Sequence, residues 1–442
     1  MKKLFTTLAI AAFALTSFAG GLLTNTNQHS AFVRNPARFA SLDIDAVYFN
    51  PAGTAFLQDG WHLSANWQMI WQQRDAIDQT MGQNKKYEGK VYVPCMPTIM
   101  AAYKTGDWTF SGFFGMPGGG GKAEFADGLP SFGYLAQSMI IPQLTQAFNA
   151  QTQGYGQING TSAGSQFEST QYLFALQLGA AYKITDNLSA YAGIRANYVT
   201  NNYTGSIYGA LDASVPNPAT GQMVPQEVKH SISVDMDQSG IAFAPIVGVD
   251  YKVGDFNFAA KYEFRAVTTV ENDTKTPEIG AALPGFADGN KLRSDAPAML
   301  SLAGSWQALP RLQVMAGWNY YFDKDAKIES LMGGDNMRKL SRNTIEYLFG
   351  AEFNVTEKFL ISAGIQFSNF GINDEYTSDL SFINDSFMTG VGGKYCLTDK
   401  IDLNFGYCYA NYAPDNCVKS TGIATRYERK THNVSVGADF RF

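Results

Sequence analysis

The sequence has few cysteines, few histidines, little charge and, past its first residues, no long apolar run. Four cysteines in 442 residues, Cys95, Cys396, Cys408 and Cys417, are too sparse for a disulfide framework, and no C-x-x-C spacing points to zinc. Cys408 and Cys417 flank the stretch YANYAPDN. A bridge between them fits an oxidising compartment; the alternative is unpaired thiols packed as small apolar residues. Positive charge is not in excess: 33 Lys and Arg stand against 39 Asp and Glu, a net charge of −6, which argues against a nucleic-acid partner. Charged residues make up 16% and aromatics 14%, the reverse of a disordered composition. No later segment carries 18 uninterrupted apolar residues, so no spanning helix is expected. That absence leaves a membrane β-barrel open, because its apolar residues alternate and never accumulate into a run.

The first residues, MKKLFTTLAIAAFALTSFAGG, read as a signal peptide over residues 1–19. Lys2 and Lys3 supply the positive region, Leu4 to Leu15 the apolar core, and Ser17-Phe18-Ala19 a small-x-small cleavage site. The expected mature chain starts near Gly20 and is exported.

From Trp61 onward the dominant pattern has period two. In WHLSANWQMIWQQ, Trp61, Leu63, Ala65, Trp67, Met69 and Trp71 share one face, and His62, Ser64, Asn66, Gln68 and Gln72 share the other. Comparable alternations recur to the last segment, where Val434, Val436, Ala438, Phe440 and Phe442 align as in the terminal strand of outer-membrane proteins. Six short turns (such as Gly106-Asp107 and Gly254-Asp255) alternate with seven long polar connections, around 76–88, 117–167, 202–228, 272–294, 325–342, 372–385 and 411–426. Short turns on one side and long loops on the other describe an all-β, 14-stranded antiparallel transmembrane β-barrel over residues 61–442. A secreted β-sandwich also alternates, but its loops do not sort so cleanly by length. The face opposite the apolar one carries Lys183, Arg195, Asp250, Lys261, Glu263, Arg265, Glu352, Asp402 and Asn404. Mutual pairing that stiffens the wall accounts for these charges better than substrate contact.

Residues 20–60 precede the first strand. They are too short for a large folded plug and too apolar for a tail, so a small N-terminal hatch inside the lumen is expected. The hatch contains Asn-Pro-Ala twice, at Asn35 and at Asn50. Proline at both sites calls for irregular, ordered backbone. The run Asp45-Ala46, Asn50-Pro51-Ala52-Gly53, Ala55-Phe56-Leu57, followed by an aromatic-rich strand, resembles the hatch signature of the FadL/TodX family of outer-membrane transporters. Gly121-Lys122-Ala123-Glu124-Phe125 resembles that family's Gly-x-(Thr/Ala)-Glu-Phe segment. The resemblance covers essentially the whole mature chain and leaves Asn35-Pro36-Ala37 as a local turn without a role.

The resemblance implies a bacterial outer-membrane channel for passive uptake of hydrophobic molecules, long-chain fatty acids or similar. It implies a monomer in contact with outer-membrane lipid, without a cofactor or metal. The gating residues would be Asn50, Pro51, Ala52 and Gly53. A kink serving as lateral exit is expected at Pro117, Gly118, Gly119, Gly120 and Gly121, where proline removes a ladder donor and glycines remove side chains; the start of an outer loop is the plainer reading. An extracellular groove is expected from Leu135, Met139, Ile140, Ile141, Leu144 and Phe148, near helical spacing, with Pro142 opening the second arm of a helix–turn–helix; a loop packed only on itself fits equally. Two rival functions remain. A general diffusion porin would need a charged constriction and no hatch. A barrel enzyme acting on lipids would need a Ser/His pair; His29, His62, His230 and His432 are the histidines available, and the adjacent His230-Ser231 would face opposite sides of a strand.

Overall fold

The computed structural model describes residues 23–442, apart from 83, 332–334, 336–338, 380–381 and 420–421 and the side chains of 120 and 282. The expected signal peptide lies outside the described residues. In β1 (Gly60–Asp78) the burial pattern is inverted relative to a water-soluble protein. Trp61, Trp67 and Trp71 are 52%, 44% and 41% exposed, while Ser64 and Gln68 between them are 1% and 0% exposed. Apolar outside and polar inside is stable where the outside is hydrocarbon. No described helix is long and apolar enough to cross a membrane.

The wall continues through β2 (Lys85–Thr105), β3 (Trp108–Phe125), β4 (Gln157–Lys183), β5 (Leu188–Pro216), β6 (Met223–Val253) and β7 (Phe256–Glu263). Two short strands, β8 (Thr269–Thr274) and β9 (Lys291–Arg293), form a side excursion. The wall resumes with β10 (Met299–Leu309), β11 (Leu312–Tyr321), β12 (Thr344–Asn354), β13 (Phe359–Asn369), β14 (Ser386–Thr398) and β15 (Ile401–Tyr412). After a short β16 (Asp415–Val418), β17 (Ala424–Arg441) completes it. β7 pairs with β10 across the excursion, β15 with β17, and β17 with β1, so fourteen antiparallel strands close into a barrel. Closure removes the sheet edges that would otherwise expose unpaired backbone to lipid.

The tight turns gather at one end. There the Trp61 N–H donates to the Phe442 carbonyl at 3.1 Å, bringing the two termini of the wall together. Gly106 and Gly254 each adopt φ +55°, the left-handed geometry that lets a turn close in two residues. At the other end the wall is uneven. β4, β5 and β6 run 27, 29 and 31 residues, against the roughly 9–11 that span a bilayer. They rise well past the membrane, so strand occupies much of 117–167 and 202–228, where loop was expected. A helix, α3 (Pro130–Gln151, counted after the hatch helices below), packs on this extension. The expected helix–turn–helix is one continuous helix with Pro142 inside. Proline costs it one backbone bond, and burial of Leu135, Ile140, Leu144 and Phe148 against the sheet offsets the loss.

The lumen is filled by α1 (Ser30–Arg34), α2 (Ala46–Phe49) and the 3-10 turn Pro51–Phe56. Phe32 stacks on Phe49 at 5.1 Å, and both join a core with Met100, Phe113, Leu173 and Leu348 from the wall. The inner face is therefore apolar where the hatch packs, a feature hidden behind the charges noted in the sequence.

Candidate functional site

The hatch is tied to the wall by buried polar contacts at both of its Asn-Pro-Ala segments. Asn50 Nδ2 donates to Asp250 on β6 and, at 3.3 Å, to the Ser41 carbonyl. The Ser189 hydroxyl donates to the Ala52 carbonyl at 2.8 Å, and Thr109 to that of Thr54 at 3.2 Å. Ser189 and Thr109 are each the second residue of a strand leaving the tight-turn end, so Pro51–Phe56 seals that end of the lumen. Gly53 is required there: a Cβ would stand 2.6 Å from the Ser41 carbonyl oxygen.

Asn35-Pro36, left without a role by the sequence, sits in a seat of wall glycines. A Cβ on Gly350 would stand 1.9 Å from Asn35 Oδ1, and one on Gly390 2.5 Å from the Val33 carbonyl oxygen. Beside this seat Arg34 Nη1 reaches Glu352 at 2.5 Å and Ser362 at 2.6 Å, and Arg38 reaches Asp45 at 2.6 Å and Glu352 at 3.2 Å. Lys394 and Arg38 hold the Asp43 carboxyl well below the usual carboxylate range. A second charged cluster, Arg195 with Glu263 at 2.7 Å and Lys261 with Glu263 at 2.8 Å, lies under Tyr48; Lys261 donates to the Tyr48 carbonyl at 2.9 Å. Burial pushes the Tyr48 hydroxyl up to about 12, and it pairs with Thr26 as a neutral group. The lumen charges expected to pair do so at Arg195, Lys261, Glu263 and Glu352, and part of their partnership is with the hatch.

The expected kink is an unzipped seam. β3 runs unbroken from Trp108 to Phe125, yet its ladder with β2 lacks pairs between Val91 and Ile99. Against β4, the six steps from Gly115 to Gly121 answer four steps from Ala175 to Gln171. Pro117 faces this seam from β3, and Pro94 and Pro97 lie in the unpaired stretch of β2. None of the three can donate to a ladder. The two β2 prolines, inside an otherwise regular alternation, were a readable sign of the break that sequence reasoning passed over. One hatch residue spans the seam: Gln28 Nε2 donates to the Met116 carbonyl at 2.9 Å, and Thr98 on β2 donates to the Gln28 carbonyl at 2.7 Å.

Behind the seam lies a cavity of about 130 Å³, lined by Thr24, Asn25 and Asn27 of the hatch, Met116 to Gly119 and Gly121 of β3, and Met96, Met388 and Tyr412 of the wall. A smaller apolar pocket of about 30 Å³ sits higher, among Phe132 and Leu135 of α3, Phe167, Ile207 and Ile232 of the strand extension, and Leu283 just after α4 (Pro277–Ala282). Of the six expected groove residues, Leu135 lines this pocket. Ile140, Leu144 and Phe148 are buried beneath α3, and Met139 and Ile141 pack at its margin.

The four cysteines are free. Cys408 faces the cavity, while Cys417 packs with Ala76, Phe382 and Tyr427, so the possible bridge between them is not formed. A serine, a histidine and an aspartate do meet, at residues that sequence reasoning did not pair. His29 Nε2 lies 3.0 Å from Ser64 Oγ and 3.1 Å from Asp439 Oδ1. A hydrolytic triad needs the carboxylate on Nδ1 and the serine on Nε2. Here Nδ1 accepts the Ala31 N–H at 3.0 Å and caps α1, so the cluster anchors the hatch to the β1–β17 seam.

A family model described as outer membrane protein transport protein (OMPP1/FadL/TodX) matches residues 10–442. No curated protein matches. Among solved structures, the P. putida toluene transporter TodX is 14% identical, with 90% of this chain and 94% of that chain covered and a TM-score of 0.56. A Pseudomonas aeruginosa FadL homologue is 16% identical, with 98% of each chain covered and a TM-score of 0.58. The Ralstonia pickettii toluene transporter TbuX is 14% identical, with 90% and 94% covered and a TM-score of 0.54. At these identities the likeness is one of fold.

Proposed function

The chain belongs to the OMPP1/FadL/TodX family of outer membrane transport proteins, and from that premise we propose that it is a passive channel for hydrophobic molecules, long-chain fatty acids or similar, gated by its hatch and emptied sideways through the wall. The ligand is taken up at the apolar pocket under α3 and descends to the central cavity. Ligand in the cavity frees Asn27 and Gln28 from the seam, while Asn50–Gly53, expected to gate, hold the rest of the hatch to the wall. The ligand then leaves through the wall at Pro117–Gly121 into the lipid. A water-filled route would cost an alkyl chain about 0.8 kcal/mol for each CH₂ exposed, and the lateral route avoids that cost.

The observation that carries this reading is the coincidence of cavity and seam. The glycines that break the ladder also line the cavity, and the hatch closes both. The solved relatives described as toluene transporters support a hydrophobic cargo. Deleting Gly118 and Gly119 tests the route, because it removes the two extra residues and restores the β3–β4 register. The variant is expected to keep the heat-modifiable migration of a folded barrel and to lose most uptake of a labelled fatty acid by proteoliposomes. Uptake at the wild-type rate would rule out the lateral exit.

A further inference from the structure

Where β3 ends, its two neighbours go on. The last β2–β3 pair is Lys90 with Glu124, and the last β3–β4 pair is Phe125 with Phe167. β2 begins further out, at Lys85, and β4 at Gln157. On its far side each stays laddered, β2 to β1 as far as Asp78 and β4 to β5 as far as Ser214. The near edges, 85–89 and 157–164, have no strand partner, and no other backbone hydrogen bond among the described residues reaches them. Strands in a sheet stand roughly 4.8 Å apart, so two strands flanking a third leave a slot one strand wide where the third turns away. A cavity of about 240 Å³ lies in this slot, lined by Lys85 and Tyr87 of β2 and by Thr161, Ser162 and Ala163 of β4. Its inner wall is α3. Pro130, Gly133, Tyr134 and Gln137 follow the i, i+3, i+4, i+7 spacing of one helix face, and all four line the cavity. The helix is held there near its start: the Ser131 N–H donates to Asp379 at 2.7 Å, and the Tyr134 hydroxyl to Asp78 at 2.7 Å. A Cβ on Gly133 would meet no atom within 4 Å, so this turn of the helix leaves the slot open. Natural sheets pair, cover or interrupt such edges. Here α3 covers one face of the slot and leaves both edges free.

We propose that this slot takes an extended peptide segment of a partner protein by strand addition, continuing β3 between β2 and β4, with an acidic side chain of the segment on Lys85. Strand addition draws affinity from main-chain hydrogen bonds and selectivity from alternate side chains. A segment running in the direction of β3 is antiparallel to both neighbours and meets ladder groups on both sides. The hydroxyls and amide of Tyr134, Gln137, Thr161 and Ser162 make the lining polar and suit polar side chains. The acidic preference follows from the charges. Lys85 is the one cation in the lining and forms no ion pair among the described residues. Its ammonium lies 4.4 Å from the centre of the Tyr87 ring, a contact that orients it without neutralising it. Asp78, the one carboxylate in the lining, is buried; it accepts the Tyr134 hydroxyl and, at 2.9 Å, the Thr80 N–H. The slot shares no lining residue with the central cavity or with the apolar pocket under α3, so the proposal stands apart from the transport route.

The test is fluorescence anisotropy of a labelled peptide of alternating Thr and Glu with the purified full-length protein in detergent. Two comparison peptides separate the contributions: one N-methylated at alternate residues, which cannot complete a ladder, and one with Lys in place of Glu. The wild type is expected to bind the parent peptide roughly tenfold or more tightly than the N-methylated one, because several main-chain bonds are lost. It is expected to bind the parent about fivefold more tightly than the Lys peptide. Lys85→Gln should remove the preference for Glu over Lys and keep the preference for the unmethylated backbone. Gly133→Trp puts an indole into the slot from a position free of contacts and should abolish binding, with heat-modifiable migration checking that the barrel is folded. The wild-type comparison of parent and N-methylated peptides is informative without either variant. Equal binding of those two overturns strand addition, and so does parent binding that a folded Gly133→Trp leaves unchanged. Equal binding of the Glu and Lys peptides overturns the assignment to Lys85. Ladder bonds tolerate any sequence without proline, so failure of the wild type to bind the parent at millimolar concentration overturns the whole proposal. Each of these outcomes leaves the transport reading standing.

Discussion

Replacing Asn50 with aspartate should detach the hatch in a pH-dependent way. The Asn50 amide donates to the Asp250 carboxylate, which also accepts from Asn257 Nδ2 at 3.0 Å, and both Asn50 and Asp250 are fully buried. Asn50→Asp converts an attractive contact into two carboxylates in hydrogen-bond contact. At about 3 Å and an effective dielectric of about 20, their repulsion is about 5 kcal/mol. The site escapes part of this by protonating one carboxyl. For a group with an ordinary pKa near 4, that costs about 4 kcal/mol at pH 7, about 1.4 for each pH unit. The hatch-opening equilibrium should therefore shift by up to roughly a thousandfold at pH 7. The sign follows from the proton count. The docked state of the variant binds one more proton than the open state, so docking is favoured as pH falls and should recover toward pH 4. Hydrogen exchange over residues 23–59 is the direct assay. The variant should exchange rapidly at pH 7.5 and slowly at pH 4.5, with barrel strands protected at both. Asn50→Asp with Asp250→Asn should restore slow exchange at pH 7.5. Wild-type protection of the hatch in the single variant at pH 7.5 would refute the view that this contact fastens it.

Gly350→Val should misdock the hatch, since a Cβ there would stand 1.9 Å from Asn35 Oδ1; overpacking of this kind costs roughly 1–3 kcal/mol. Faster exchange over Ser30–Arg34, relieved by Asn35→Ala, checks it. Trp67→Arg places a cation on the lipid face of β1, where Trp67 is 44% exposed. It should lower barrel stability by about 2–4 kcal/mol, measured by urea unfolding in lipid vesicles, with little effect on the purified hatch contacts.

The barrel was legible because a membrane strand advertises itself twice, by period-two alternation and by the sorting of turns from loops. Trp61 to Trp71 carries both signals in a dozen residues. The extension of β4, β5 and β6 was not legible. Above the hydrocarbon both faces of a strand meet water, so Thr204 to Gln226 has the composition of a loop while it forms a hairpin with β5 and β6 paired residue by residue. The site divided in the same manner. Asn50–Gly53 and Pro117–Gly121 announce special backbone locally, and the structure places the first against Asp250 and the second along the seam and cavity. The glycine seat for Asn35 joins positions more than 300 residues apart, and no local pattern marks it. Arg74 and Arg429, opposite each other in the β1–β17 ladder, become neighbours only once the barrel closes.

The distribution of contacts also decides which part of the hatch yields first on the proposed route. From Arg34 to Asn50 the hatch is held to the wall by buried charges, and breaking one such contact costs about 3–5 kcal/mol because the partner is left buried and unpaired. At Asn27 and Gln28 the ties are neutral. Asn27 donates to Gln68 at 2.7 Å and its carbonyl accepts from Gln68 Nε2, Gln28 donates to Met116 at 2.9 Å, and Thr98 to Gln28 at 2.7 Å. At about 1 kcal/mol each, these sum to about 4 kcal/mol. An alkyl chain recovers that by burying about five methylene groups at about 0.8 kcal/mol apiece. A ligand settled in the cavity can therefore displace Asn27 and Gln28 from the seam by competition for space, while Arg34, Arg38 and Asn50 keep the rest of the hatch docked. Transport then needs no emptying of the barrel, and the tight-turn end sealed by Pro51–Phe56 stays closed to water as the wall opens to lipid.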